Sequence, residues 1–520
     1  MAAIVTDQFR IFNASNFISS VDDTSNSYYV FLGLPNPAAV GFGRTSDWNT
    51  NTPNPIDNFD YENEYHDTMM FGKKITSLNT RRLVRRIDWA SGTKYEMYRH
   101  DYSIVNQSPI TRSSRLYDAN YYVMNSDYRV YICIDNGSSG INPTGNASQD
   151  EPTFTDLEPS KAGESGDGYL WKYLFTVPPS DIIKFDSIEY ITVPNDWESS
   201  TDAQITAVRE NGDSTVNENQ IKKVYIESQG SGYNSGIGQV LNIQGDGSGG
   251  QVVVDVVNGK ITNTQISSGG KEYSYGMVDL GSINSNANSA AKLVPIIPPS
   301  KGHGYDLYKE LGADKVLVYA RFDDSTRDFP IDTKFSQIGI MKNPVSYGSD
   351  TIFTDNQYSS LYAIKLSSSS GSISIGDKIT QVITTGGNAY GYVASYDTET
   401  KILKYFRDRT AYFNSTYIDQ TDYVGISTAS KVLDFQTSTT ITINPITTSG
   451  GFSGTIDTGF TGITTNPNGN KVISLGIQFN NGLATPEINK GSGDIIYIDN
   501  RPLVARNSRQ KEDVKIILEF

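Results

Sequence analysis

The chain has 520 residues, 58 of them acidic and 43 basic, for a formal charge of −15 at neutral pH. At roughly 150 residues per domain this length allows about three domains. Its negative surface excludes a protein whose main work is gripping a phosphate backbone. Aromatic residues at 11%, with 33 tyrosines among them, exclude a disordered chain.

From the N-terminus, Met1–Asp7 lacks both the basic start and the apolar stretch of a secretory signal. No apolar run approaches the ~20 residues needed to span a bilayer. The expectation is a protein made and folded in a cytoplasm. Ala14, Phe17, Ile18 and Val21 recur at helical spacing and predict the clearest helix of the chain. Ser27-Tyr-Tyr-Val-Phe-Leu32 then reads as a strand.

Asp60-Tyr-Glu-Asn-Glu-Tyr-His66 is the one cluster with metal-ligand chemistry. In a strand, Asp60, Glu62, Glu64 and His66 would share a face and form a ladder of ligands. The plainer reading is a solvated face with Tyr61 and Tyr65 turned inward. Arg81-Arg-Leu-Val-Arg-Arg-Ile-Asp-Trp89 is the only dense basic run. Four arginines on so acidic a chain point to protein contact or internal ion pairing rather than to nucleic acid.

Cys133 is the single cysteine, which excludes an internal disulfide and zinc sites built on several thiolates. It sits in the β-like run Tyr128–Asp135 and reads as a strand thiol. A histidine base would have to be His66, His100 or His303, the only three present. In Gly166-Asp-Gly-Tyr-Leu-Trp-Lys-Tyr-Leu-Phe-Thr-Val-Pro-Pro179, two glycines permit a sharp turn. Tyr169, Trp171 and Tyr173 then alternate on one strand face, and Pro178-Pro179 stops the pairing.

Residues 199–292 turn rich in Gly, Ser, Asn, Val and Ile, with a faint repeat. Ile221, Ile226, Ser228, Gly230 and Tyr233 recur forty positions later as Ile261, Ile266, Ser268, Gly270 and Tyr273. Two copies suggest a small β module rather than a solenoid, which needs at least about three units. Gly245-Asp-Gly-Ser-Gly-Gly250 formally matches a dinucleotide fingerprint. The strand-like Gln251-Val-Val-Val-Asp-Val-Val257 follows it where a helix is required, so a hairpin turn is expected. Neither a phosphate-binding Gly-Lys-Ser/Thr sequence nor a G-x-S-x-G nucleophile elbow occurs. Val224-Tyr-Ile226, Lys315–Arg321 and Ile495–Ile498 read as further strands, and 349–490 is a second Thr-, Ser- and Gly-rich stretch without helical period.

Several blocks, in this order, carry a resemblance. They are Phe42-Gly-Arg44 with Trp48, Arg85-Arg-Ile-Asp-Trp89 with Tyr95, Gly166–Pro179, and Glu189-Tyr-Ile-Thr-Val-Pro194. Gln337-Ile-Gly-Ile with Asn343-Pro344, Ile496–Pro502 and Val514–Phe520 complete the set. Together the chain resembles a baseplate wedge subunit of T-even-type contractile-tailed bacteriophages, the wedge component that forms a β-sandwich dimer. The family is shorter, its Asn-Arg-Pro-Pro reads Asn500-Arg-Pro-Leu503 here, and the two compositionally distinct stretches fall between matched blocks.

The expected fold is therefore mostly β: an antiparallel, multi-layer β-sandwich core with a few peripheral helices and two inserted β-rich modules. The expected core is 1–198, 293–348 and 491–520, with modules at 199–292 and 349–490. The resemblance implies a structural virion protein of the tail baseplate wedge, not an enzyme, assembled in the host cytoplasm, with no catalytic or metal site and no cofactor. It implies a homodimer that contacts other wedge proteins, and tail-fibre-associated proteins through the insertions, with no nucleic-acid or membrane partner. The other reading is a tail-associated receptor- or polysaccharide-binding, or polysaccharide-degrading, protein.

Overall fold

The structure is a computed structural model that describes residues 5–34, 48–213, 218–284, 288–323, 333–383, 388–407, 432–437, 445–467, 469, 472–505 and 510–520. The Phe42-Gly-Arg44 block lies outside the described residues. The fold is mostly β with few helices, as the turn-punctuated sequence predicts. Its chain forms two compact units, one of residues 1–17, 81–317 and 517–520, the other of 18–80 and 318–516. The chain crosses between them within the helix Asp7–Asp22, at the start of the strand Thr80–Arg85, and within the strands Lys315–Phe322 and Glu512–Glu519.

The first unit is organised around a three-stranded antiparallel sheet of Tyr122–Met124, Arg129–Asn136 and Tyr169–Thr176. Gly166 and Gly168 take φ of +69° and +89° at the turn into the third strand, a region open to glycine at little cost. Tyr169, Trp171 and Tyr173 are all buried on one face, as the alternation predicts. Trp171 stacks on Tyr169 with ring centroids 5.2 Å apart and meets Tyr95 edge-on at 5.8 Å. The opposite face is buried too, with Lys172 at 0% exposure and Leu174 at 1%. Pro179 opens the helix Pro179–Phe185, where a missing N–H costs nothing. Strand Thr80–Arg85 pairs with Tyr190–Val193.

Within the same unit, Gly236–Gly245, Ser248–Val257, Lys260–Lys271 and Gly276–Val278 form a four-stranded sheet, and Val224–Ser228 pairs with Lys292–Pro295. Leu241, Ile243, Val252, Val254, Val256 and Ile261 face inward to make a separate hydrophobic cluster. The Gly245–Gly250 run is the hairpin turn between two of these strands. The forty-residue repeat is structural. Ile221 N–H donates to Gly269 O, and its counterpart Ile261 N–H donates to Gln229 O, the counterpart of Gly269. Gly230 (φ +62°) and Gly270 (φ +60°) each lie against the ring of the tyrosine three residues on, where an added Cβ would come within 2.6 and 2.7 Å of Tyr233 and Tyr273. The two copies therefore exchange equivalent hydrogen bonds as a pseudo-symmetric pair.

The second unit contains a five-stranded antiparallel sheet in the order Gln357–Ser359, Met69–Ile75, Tyr28–Gly33, Lys334–Lys342, Asp494–Ala505. Phe353, Tyr358 and Ile488 pack with Tyr29, Phe31 and Met341 of this sheet. A second sheet closes on itself as a six-stranded barrel. Its circuit runs Lys378–Val382, Ile446–Thr448, Ser453–Ile456, Tyr362–Ser370, Ile402–Phe406, Asn388–Asp397 and back to the first strand. Ile364, Leu366, Ile379, Val393, Leu403 and Ile446 fill its interior cluster. Closure removes the exposed edges that a Thr- and Ser-rich open sheet would offer to other chains.

The strand face proposed for Asp60, Glu62, Glu64 and His66 is not formed. Phe59–Thr68 is a helix, capped by the Asn58 side chain accepting from Tyr61 N–H. In a helix, residues two apart point in nearly opposite directions, so the ladder is broken. Glu62 is exposed, Glu64 half-buried and His66 buried.

Candidate functional site

Residues singled out by sequence divide into those the fold neutralises and those it gathers. Cys133 is buried in the strand Arg129–Asn136, and burial, reinforced by nearby carboxylates, pushes its thiol well above the usual range. Such a thiol is inert. Among the described residues no three His, Cys, Asp or Glu side chains are placed to hold a metal ion.

The arginine run is consumed largely by internal pairing. Arg81 Nε donates to Asp181 at 2.7 Å, and Arg82 Nη1 donates to Ser15 at 2.9 Å while its guanidinium covers the Tyr308 ring at 3.8 Å. Arg86 meets Asp88 at 3.0 Å and Asp186 at 3.1 Å. Burial works against the Arg86 charge, but Asp88 and Asp186 outweigh it and hold its pKa above the ordinary value. Arg85 Nη2 donates to Ala119 O at 2.7 Å. Strand alternation sends Arg81 and Arg85 and their neighbours to different partners, which is why a run of four cations makes no single patch.

Arg85 and Arg86 also line a cleft of about 470 Å³ whose walls carry Arg10, Arg115, Lys315, Asp118, Glu189, Asp314 and Glu519. Its charges are mostly matched across it. Arg115 meets Asp7 at 2.5 Å, and Lys315 meets Asp314 at 2.9 Å and Glu519 at 3.3 Å. Tyr117, Tyr122 and Tyr190 supply the apolar part. A cleft lined by paired ions and tyrosines suits recognition of another polar surface. It presents no histidine and no thiol, the groups that most often act as base or nucleophile near neutral pH.

Sequence reading missed a polar cluster behind the three-stranded sheet, with Lys172 buried at its centre and Glu158 exposed at its rim. Lys172 Nζ donates to Leu157 O at 2.5 Å and to Asn211 Oδ1 at 2.8 Å. Asn211 Nδ2 donates to Glu158 at 2.8 Å, and Lys222 Nζ meets the other oxygen of Glu158 at 2.6 Å. Burial, together with the Lys222 charge, lowers Lys172 to about 8. Nearby, His303 Nδ1 and Gly304 N–H meet the two oxygens of Glu310 at 2.5 and 2.6 Å. Glu310 is wholly buried, and burial lowers the pKa of His303. The available signal was His303 between Gly302 and Gly304, a histidine in a loop that needs unusual backbone angles.

The family profile described as Bacteriophage T4, Gp8 matches residues 142–231. That interval contains the Gly166–Pro179 and Glu189–Pro194 blocks. It also contains the helix Ala203–Gly212 and the strand Val224–Ser228, beyond residue 198. The baseplate wedge protein gp8 of Enterobacteria phage T4 is 25% identical over 219 residues, 37% of this chain and 60% of that protein. The chain is similar to a baseplate wedge protein. This bears out the resemblance read from the ordered blocks. The chain spans 60% of the length of that relative.

Proposed function

We propose that this protein is a structural component of a bacteriophage tail baseplate wedge, present in the virion tail and without enzymatic activity. The observation that carries the reading is the family match over 142–231, which falls on the rigid aromatic strand Tyr169–Thr176 and the elements packed on it. Its mechanism is assembly: buried surface against neighbouring wedge proteins, held or shifted as the baseplate changes shape. A homodimer, contacts with other wedge proteins, and contacts of the two β-rich stretches with fibre-associated proteins belong to the same proposal.

We further infer that 199–292 and 349–490 carry modules added to a shared core. Each contributes its own hydrophobic cluster. We take their working ends to lie inside those limits. Val208 and Tyr225 belong to the cluster around Trp171, and Phe353, Tyr358 and Ile488 to that of the five-stranded sheet. Residues 230–290 and 362–485 can be bridged because Ser228 pairs with Lys292 and Glu487 N–H donates to Ser359 O at 2.9 Å. Imaging intact tails with the wild-type chain tests the reading, and density for it among the wedges is expected. Its absence from purified tails refutes the assignment. Chains lacking either module should stay soluble yet fail to complete baseplates; normal particles from them would remove the partner-contact role.

A further inference from the structure

The Lys172 cluster has the parts of a bond-forming site. Lys172 is wholly buried on the strand Tyr169–Thr176, and both acceptors of its amine are uncharged: a backbone carbonyl and the Asn211 amide oxygen. Asn211 lies near the end of the helix Ala203–Gly212, and its orientation is set from both sides. An amine on one side fixes which atom accepts, and a carboxylate on the other fixes which atom donates. With Oδ1 at 2.8 Å from Nζ, the amide carbon stands roughly 3–4 Å from the amine, near attack distance.

We propose that Lys172 and Asn211 become joined by a side-chain amide, with Glu158 as the proton carrier. The neutral Nζ attacks Cγ of Asn211, forming the Nζ–Cγ bond. Glu158, an exposed carboxylate 2.8 Å from Nδ2 that also holds Lys222, is on the far side of the amide from Nζ and carries the proton released there to Nδ2. The Cγ–Nδ2 bond then breaks and ammonia leaves. No oxidant, reductant or further reactant is required. A lysine held at about 8 supplies the uncharged amine near neutral pH, where an ordinary lysine is almost entirely protonated. The product would fasten the helix to the core strand by a covalent tie, independent of the baseplate reading.

The test is mass spectrometry of the full chain, purified and incubated at pH 8.5, then denatured and digested with trypsin. The expected result is a chain lighter by one ammonia, and a branched peptide joining residues 162–184 to 210–222, uncleaved at Lys172. Lys172→Arg and Asn211→Ala should abolish the branched peptide, and Glu158→Gln should slow the linkage about 100-fold. The rate should rise with pH and level off above about 8. Asn211-Gly212 can also lose ammonia by closing on its own backbone. The branched peptide therefore decides: its absence from the wild-type digest, with the two peptides recovered unjoined, overturns the proposal.

Discussion

Trp171 gives the sharpest test of the packing. Its side chain is fully buried, stacked on Tyr169 and edge-on to Tyr95, and its Nε1–H meets no hydrogen-bond acceptor among the described residues. Truncating a buried tryptophan costs about 3–5 kcal/mol through lost transfer energy and the cavity left behind. An unpaired buried N–H already costs the native state about 1–3 kcal/mol, which truncation returns. Trp171→Ala should therefore lose about 2 kcal/mol, within a range of about 0–4 kcal/mol. Trp171→Phe keeps a ring against Tyr169 and Tyr95 and gives up only about 40 Å² of apolar surface, or about 1 kcal/mol. Because it also removes the unpaired donor, its stability should fall between no change and a gain of about 2 kcal/mol. Urea denaturation of the full chain, followed by near-ultraviolet circular dichroism, measures both. A Phe variant as damaged as the Ala variant would show that Nε1–H is satisfied and that ring stacking is not what holds this sheet.

Gly230→Ala and Gly270→Ala should each destabilise the repeat-bearing module by at least about 1 kcal/mol, since both need left-handed backbone and both sit under a tyrosine ring. If only one variant loses protection in hydrogen exchange, the two copies are not energetically equivalent. Glu310→Ala should cost about 3–5 kcal/mol, because it strands the buried Gly304 N–H and the His303 imidazole; a urea midpoint unchanged from wild type would contradict this. His100 and His303 are both held below 6.5 by burial, so below that pH the unfolded chain binds protons that the folded chain refuses. Stability should fall as pH drops from about 6.5 toward 5, and a His100→Gln, His303→Gln double variant should flatten that slope in a urea series.

The sequence was legible where one element's pattern decides the outcome. Tyr169, Trp171 and Tyr173 share a face because strands alternate, and Gly245–Gly250 turns a hairpin because no helix follows it. It misled where two local structures compete for one pattern. Asp60–His66 alternates acid with aromatic, yet Asn58 offers a helix cap, and Tyr65 and His66 are then buried at adjacent positions. Alternation also hid Lys172. It sits on the face opposite Trp171, which reads as solvent only if that face is uncovered, and the helix Ala203–Gly212 covers it. The cover comes from a segment more than 25 residues along the chain, so no local window could show that the lysine is inside.

The same reasoning bears on where the proposed modules would begin and end. Composition changes at Ser199 and Ser349, but packing responds to which side chains complete a core. Val208 and Tyr225 fill the space behind the aromatic sheet, and Tyr358 packs its ring edge-on to Tyr29 at 5.1 Å. Residues just inside a compositionally foreign stretch are thus tied into the neighbouring core. A segment so anchored at both ends can vary in its interior while its entry and exit stay fixed by the cores they help to fill. Val208, Tyr225, Tyr358 and Ile488 are therefore the residues whose truncation should damage the cores they pack into rather than only the proposed modules.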